Sequence, residues 1–186
     1  MRLGLRTIGF DPDRDVNLRV VGATNLRMLA MQQGQAQFTV ITTTEVAEAE
    51  KRGFKILVDL ASKHIPYPHS GLITSERMLR EKHDAMLRFG RATVEAIHFF
   101  KTQKAPTIAI LKKYAKTDLS TLDTAYAYLK TALPDLPYPT VEGMKTYIAE
   151  AGRTQKETAK ADPATFVDSS IVKAVEDEGL LKRLGK

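Results

Sequence analysis

The run Ile65-Pro66-Tyr67-Pro68-His69-Ser70-Gly71 constrains this chain more than any other stretch. Each proline fixes its own φ, removes an amide donor and pushes the residue before it out of the helical region, so no helix or central strand can cross here. The texture differs on the two sides. Before the run, short apolar stretches rich in β-branched residues alternate with helical periodicity. After Ser75 nearly everything reads as helix.

On the amino-terminal side, Asp11-Pro12-Asp13-Arg14-Asp15 is a turn leading into a strand over residues 16–21, with Val16, Leu18 and Val20 on one face. Gly22 and Ala23 break that strand. Thr24 or Asn25 then caps a helix to Gln33, with Leu26, Leu29 and Ala30 as its apolar stripe and Gly34 as its stop. A second strand over 38–41 ends in Thr42-Thr43-Thr44. A helix through Val46 and Ala49 ends at Gly53, and a third strand covers 56–60. The order β-α-β-α-β calls for a parallel sheet with crossover helices.

Beyond the proline run, residues 72–74 read as a fourth short strand and Thr74 or Ser75 as the next cap. Helices follow over 84–101, 105–115 with Pro106 in the first turn, 120–129 opened by a Ser120–Asp123 capping box, and 141–151. A final helical region starts at Asp162-Pro163 and runs through Phe166, Ile171 and Val175 to Leu184.

Composition narrows the function. The chain has 186 residues, no cysteine, and no apolar stretch long enough to span a bilayer, so disulfides, thiolate metal sites, cysteine nucleophiles and direct membrane insertion drop out. The start, Met1-Arg2-Leu3-Gly4-Leu5-Arg6, lacks the apolar core of a signal peptide. Net charge is +6, but the bases alternate with acids and apolar residues and read as solvated helix faces rather than a nucleic-acid footprint. No phosphate-loop, dinucleotide, zinc-protease or serine-elbow motif occurs. His64, His69, His83 and His98 lack metal-ligand spacing, with His83 and His98 read as exposed. No catalytic residue, metal or cofactor is expected.

Binding has better candidates. In open parallel sheets, ligands sit where strand ends meet helix amino termini. Gly22, Thr24 and Asn25 form one such loop, and Thr42, Thr43 and Thr44 form a second. Both suit an anion or a polar head group. The plainer reading makes Gly22 a turn and the threonines caps. Tyr67 could stack on a planar ligand or simply pack the linker onto a core. For Tyr138, in its similar Pro-Tyr-Pro setting, packing is the stronger reading, and Phe99 and Phe100 are read as core or near-core.

The run Gly9-Phe10-Asp11-Pro12-Asp13-Arg14-Asp15-Val16 with Val21-Gly22, then Leu29-Ala30-Met31-Gln32-Gln33-Gly34, then Gly53-Phe54-Lys55-Ile56-Leu57-Val58-Asp59-Leu60 form an ordered series. It continues through Ile65-Pro66-Tyr67-Pro68, Gly71-Leu72-Ile73, Pro137-Tyr138-Pro139 and Asp162-Pro163. In order and spacing it resembles the substrate-binding proteins of nitrate, sulfonate, taurine and thiamine-pyrimidine importers, which have the type II periplasmic binding fold. Two departures stand out: Gln35 and Gln37 where the family often has an acid, and no cysteine where some pyrimidine-making relatives have a cysteine-rich segment.

The resemblance implies an α/β fold, present in part. Residues 1–64 would be a parallel-sheet portion of the second lobe, 65–71 the hinge, and 72–186 the helix-rich carboxy-terminal part of the first lobe. Opening strands, further ligand loops and an export signal would lie upstream of Met1. The implied role is binding a small polar or anionic solute, without chemical change, in the periplasm beside a membrane permease. The alternatives are a pyrimidine-synthesis enzyme relative and a truncated, non-binding interaction module. A half fold would leave apolar faces and strand edges open, so the chain alone should be marginally stable, self-associating, or completed by another polypeptide.

Overall fold

The computed structural model describes every residue except Thr43, Thr44, His64, His69, residues 116–118 and Lys186. The chain divides into two compact units, Met1–Ile65 and Pro66–Lys186.

In the first unit the helices are α1 (Arg2–Thr7), α2 (Thr24–Gln32) and α3 (Val46–Lys51). Helix α1 buries Leu5 and presents Gly4 to Leu60, where a Cβ would come within 2.8 Å of Leu60 Cδ1. After α1 the chain turns through the expected 11–15 segment. The amides of Arg14 and Asp15 donate to the Asp11 carbonyl, Pro12 is fully buried, and Arg2 and Arg6 pair with Asp13. Helix α2 stops at Gly34 as expected: Gly34 takes φ +71° and the Gln35 amide donates back to the Ala30 carbonyl. Arg52 ties α3 to α2, donating to Glu48 at 2.7 Å and to Gln32 at 3.2 Å.

Three expectations for this unit are corrected. Helix α2 begins at Thr24 with Ala23 as its cap and no side-chain capping bond, so neither Thr24 nor Asn25 caps it. The buried side of α2 is Met28 and Ala30, while Leu26 and Leu29 are 49% and 45% exposed. Segments 16–21, 38–41 and 56–60 form no strand among the described residues. A strand exists only as one member of a ladder, and a favourable apolar alternation supplies no partner. Val20 at 103% and Leu57 at 79% exposure show side chains with nothing to pack on.

The second unit is helical, and its 72–74 segment is likewise not a strand. It contains α4 (Glu76–Glu81), α5 (His83–Thr102), α6 (Lys104–Ala115), α7 (Leu119–Ala132), α8 (Val141–Ala151), α9 (Ser170–Asp177) and α10 (Leu180–Arg183). Ser75 caps α4 by accepting from the Met78 amide at 3.2 Å, and Thr140 caps α8 by accepting from the Gly143 amide at 3.1 Å. Helix α7 begins at Leu119 and Asp123 pairs with Lys104 Nζ at 2.9 Å, while the Ser120 side chain of the expected capping box lies outside the described residues.

The core of this unit joins Val94 of α5, Val175 of α9 and Leu180 of α10, flanked by Leu136, Leu181 and Leu184. Gly90 lets α5 and α9 approach closely, since a Cβ there would lie 2.7 Å from Ile171 Cγ2. Arg91 locks the same contact with a bidentate pair to Glu178 at 2.7 and 2.6 Å. The final helical region is broken into a 3-10 turn at Pro163–Phe166, α9 and α10, with Gly179 at φ +66° between the last two.

Candidate functional site

The side chain that organises the first unit's polar loops is Arg27 of α2. Helical side chains lean toward the helix amino terminus, so Arg27 reaches back over the start of its own helix. Its Nη1 donates to the Gly22 carbonyl at 2.8 Å and its Nη2 to Thr24 Oγ1 at 2.7 Å. The same Nη2 donates to the Val40 carbonyl at 3.0 Å, at the end of the 38–41 segment. One half-buried guanidinium therefore ties the first loop to the 38–41 segment. No carboxylate forms an ion pair with it among the described residues, and its Nε is buried without a partner there. A cation in this first turn opposes the helix dipole at a cost of roughly 0.3–1 kcal/mol, which the three hydrogen bonds offset.

The second loop is set by Glu45. Its Oε2 accepts from the Thr42 amide at 2.9 Å and from the Thr42 hydroxyl at 3.0 Å, while the Glu45 amide donates to the Thr42 carbonyl at 2.9 Å. Thr42 is thus engaged by a carboxylate beside the helix start. Gly22 has φ +104°, a backbone conformation suited to glycine.

The expected site residues fall out as follows. Gly22 and Thr24 accept from Arg27, which also reaches the Val40 carbonyl, while Thr42 is bonded to Glu45. Asn25 is exposed in the first turn of α2. Thr43 and Thr44 lie outside the described residues. Tyr67 belongs to the second unit, where its half-exposed ring packs at 6.1 Å on Tyr147 of α8, next to Pro68 over Gly143. Burial first, then Tyr147 and Glu150, push the Tyr67 hydroxyl above its ordinary range. Tyr138 donates to Glu176, Phe100 packs on Tyr126 at 5.0 Å, and Phe99 is 40% exposed.

Arg27 and Glu45 were not among the expected site residues. The available signal was spacing: a base three residues after Thr24 and five after Gly22, at the wrong end of a helix for its charge. His83 is exposed as expected, but His98 is half-buried, its Nδ1 buried and without a hydrogen-bond partner among the described residues. His64 and His69 lie outside the described residues. No cluster of metal-ligating side chains occurs among the described residues, and no helix there is long and apolar enough to cross a membrane.

Comparison with protein families assigns the chain to a solute-binding class. The NMT1/THI5-like family matches residues 4–105, more than half of the chain. The chain belongs to that family, one of periplasmic substrate-binding proteins serving nitrate, sulfonate and thiamine-pyrimidine ABC transporters, with the type II periplasmic binding fold. Comparisons with curated proteins and with solved structures gave no match.

Proposed function

We propose that this chain is the solute-binding part of an ABC-type importer, holding a small polar or anionic organic solute without changing it. The sulfonates, nitrate-like ions and pyrimidines are the solute classes considered. The site is built on Gly22, Thr24 and Asn25 from one loop and Thr42, Thr43 and Thr44 from the other. The observation that supports this reading is the Arg27 guanidinium, whose bonds to Gly22, Thr24 and Val40 tie the first loop to the segment that leads into the second. Thr24 Oγ1 accepts from Arg27, which leaves the hydroxyl proton available to a ligand oxygen. The proposed setting is the periplasm, with a membrane permease as partner.

Isothermal titration of the chain with taurine, nitrate and an aminopyrimidine tests this. Binding of one of them, weakened about tenfold or more by Thr43→Phe, is the expected result. Unchanged affinity in that variant removes the second loop from the site. Heat from none of the three ends the solute-binding reading.

A second reading, an interaction module that binds no solute, draws on the exposure of Val20, Leu57 and Ile73. It predicts no shift in melting temperature with any of the three solutes.

A further inference from the structure

We infer that Arg27 is the positioning residue of this site, a clamp that fixes the two loops rather than a group that meets the solute. The inference rests on the solute-binding reading above. In a finished sheet, backbone ladders hold the strand ends from which ligand loops spring. Segments 16–21 and 38–41 carry no ladder among the described residues, so a side chain takes over that task.

The guanidinium suits it. Its planar fork presents several donors in fixed directions, and here they go to three neutral acceptors on two segments. Gly22 and Thr24 lie on one, and Val40, 13 residues beyond Arg27, lies on the other. Both hydrogens of Nη2 and one of Nη1 go to the protein, and Nε is buried. Arg27 therefore faces its own loops. By donating to Thr24 Oγ1 it also sets the direction in which that hydroxyl donates, so the clamp determines the geometry of a group proposed to touch the solute.

Amide hydrogen exchange on the full chain, with Arg27→Lys and Arg27→Gln beside the parent, tests the clamp without needing a solute. An ammonium keeps the charge but cannot reproduce the fork. Both variants should speed exchange about tenfold or more at residues 22–24 and 40–42, the loss expected for one charge-assisted hydrogen bond. Amides in α3 and in α5 should stay at parent rates, showing that the chain still folds. Unchanged exchange at 40–42, or acceleration spread evenly over the first unit, overturns the proposal.

Titration with taurine, nitrate and the aminopyrimidine then separates a clamp from a ligand. If Arg27 only positions, Arg27→Lys weakens binding as much as Arg27→Gln. If Lys restores affinity, the charge itself meets the solute and the clamp assignment is wrong. A parent chain that binds none of the three sinks the solute-binding reading and the site assignment built on it, while exchange still decides whether the clamp exists.

Discussion

Replacing Gly22 by alanine separates a backbone requirement from a packing one. At Gly22 the added Cβ would meet only Leu26 Cδ1 at 3.5 Å, an ordinary contact, so space is not limiting. The conformation is. With φ at +104°, an L-residue is strained by about 1–3 kcal/mol if it keeps the parent geometry. The stiffer unfolded chain returns about 0.4–1 kcal/mol, leaving a net loss of roughly 1–2 kcal/mol. The backbone could instead rotate to negative φ, but the Gly22 carbonyl would then leave Arg27 Nη1, now 2.8 Å away. That route forfeits a charge-assisted hydrogen bond of about 1.5–3 kcal/mol, so neither escape is cheap. For a unit of this size each kcal/mol corresponds to roughly 4–8 °C, which puts the expected drop in melting temperature between about 4 and 16 °C. A urea melt followed through exchange of the buried Met28 and Ala30 amides reads the first unit specifically. Stability equal to the parent would refute the reasoning, because it would mean that φ at Gly22 is not fixed by the clamp.

The remaining predictions concern the second unit. Gly90→Ala sets a helix-propensity gain of about 1 kcal/mol against overpacking of about 1–3 kcal/mol, because the new Cβ would lie 2.7 Å from Ile171 Cγ2 and 3.3 Å from Val175 Cγ2. Both are β-branched and stiff, and Val175 is fully buried, so thermal unfolding should show a net loss; a rise would mean that α5 and α9 do not approach this closely. Tyr138 should titrate at about 12 rather than 10.0, chiefly because its hydroxyl donates to Glu176. A raised folded value favours the protonated state, so its stabilising contribution is complete below pH 10 and fades as pH rises from 10 to about 12. The phenolate absorbance difference between the parent and Tyr138→Phe isolates this group, Glu176→Gln should bring it back toward 10, and a Tyr138 curve centred at 10 would refute the pairing.

The helices were legible because their signals are local. The Ser75 cap and the Gly34 stop each depend on residues within a few positions, and each is found where the sequence puts it. The sheet was not readable in the same way. Alternation over 16–21 says which residues would share a face, but pairing is a contact with a distant segment that no local pattern names. The stripe on α2 failed for a related reason. Leu26, Met28, Leu29, Ala30 and Met31 are apolar around most of the helix, and what selects Met28 and Ala30 for burial is the neighbour they meet.

Arg27 was missed because spread-out bases were read together as solvated faces, and position along a helix distinguishes among them. Lys112 and Lys113 stand in the last turn of α6, where a cation agrees with the helix dipole and needs no further explanation. Arg27 stands near the start of α2, whose first turn holds no acid to balance it. A side chain that breaks a local rule persists only if something nearby compensates it, and such violations concentrate at functional sites. Here the compensation is two carbonyls and a hydroxyl, drawn from the first candidate loop and the 38–41 segment. The helix dipole therefore points to the residue that motif searches and charge counts passed over.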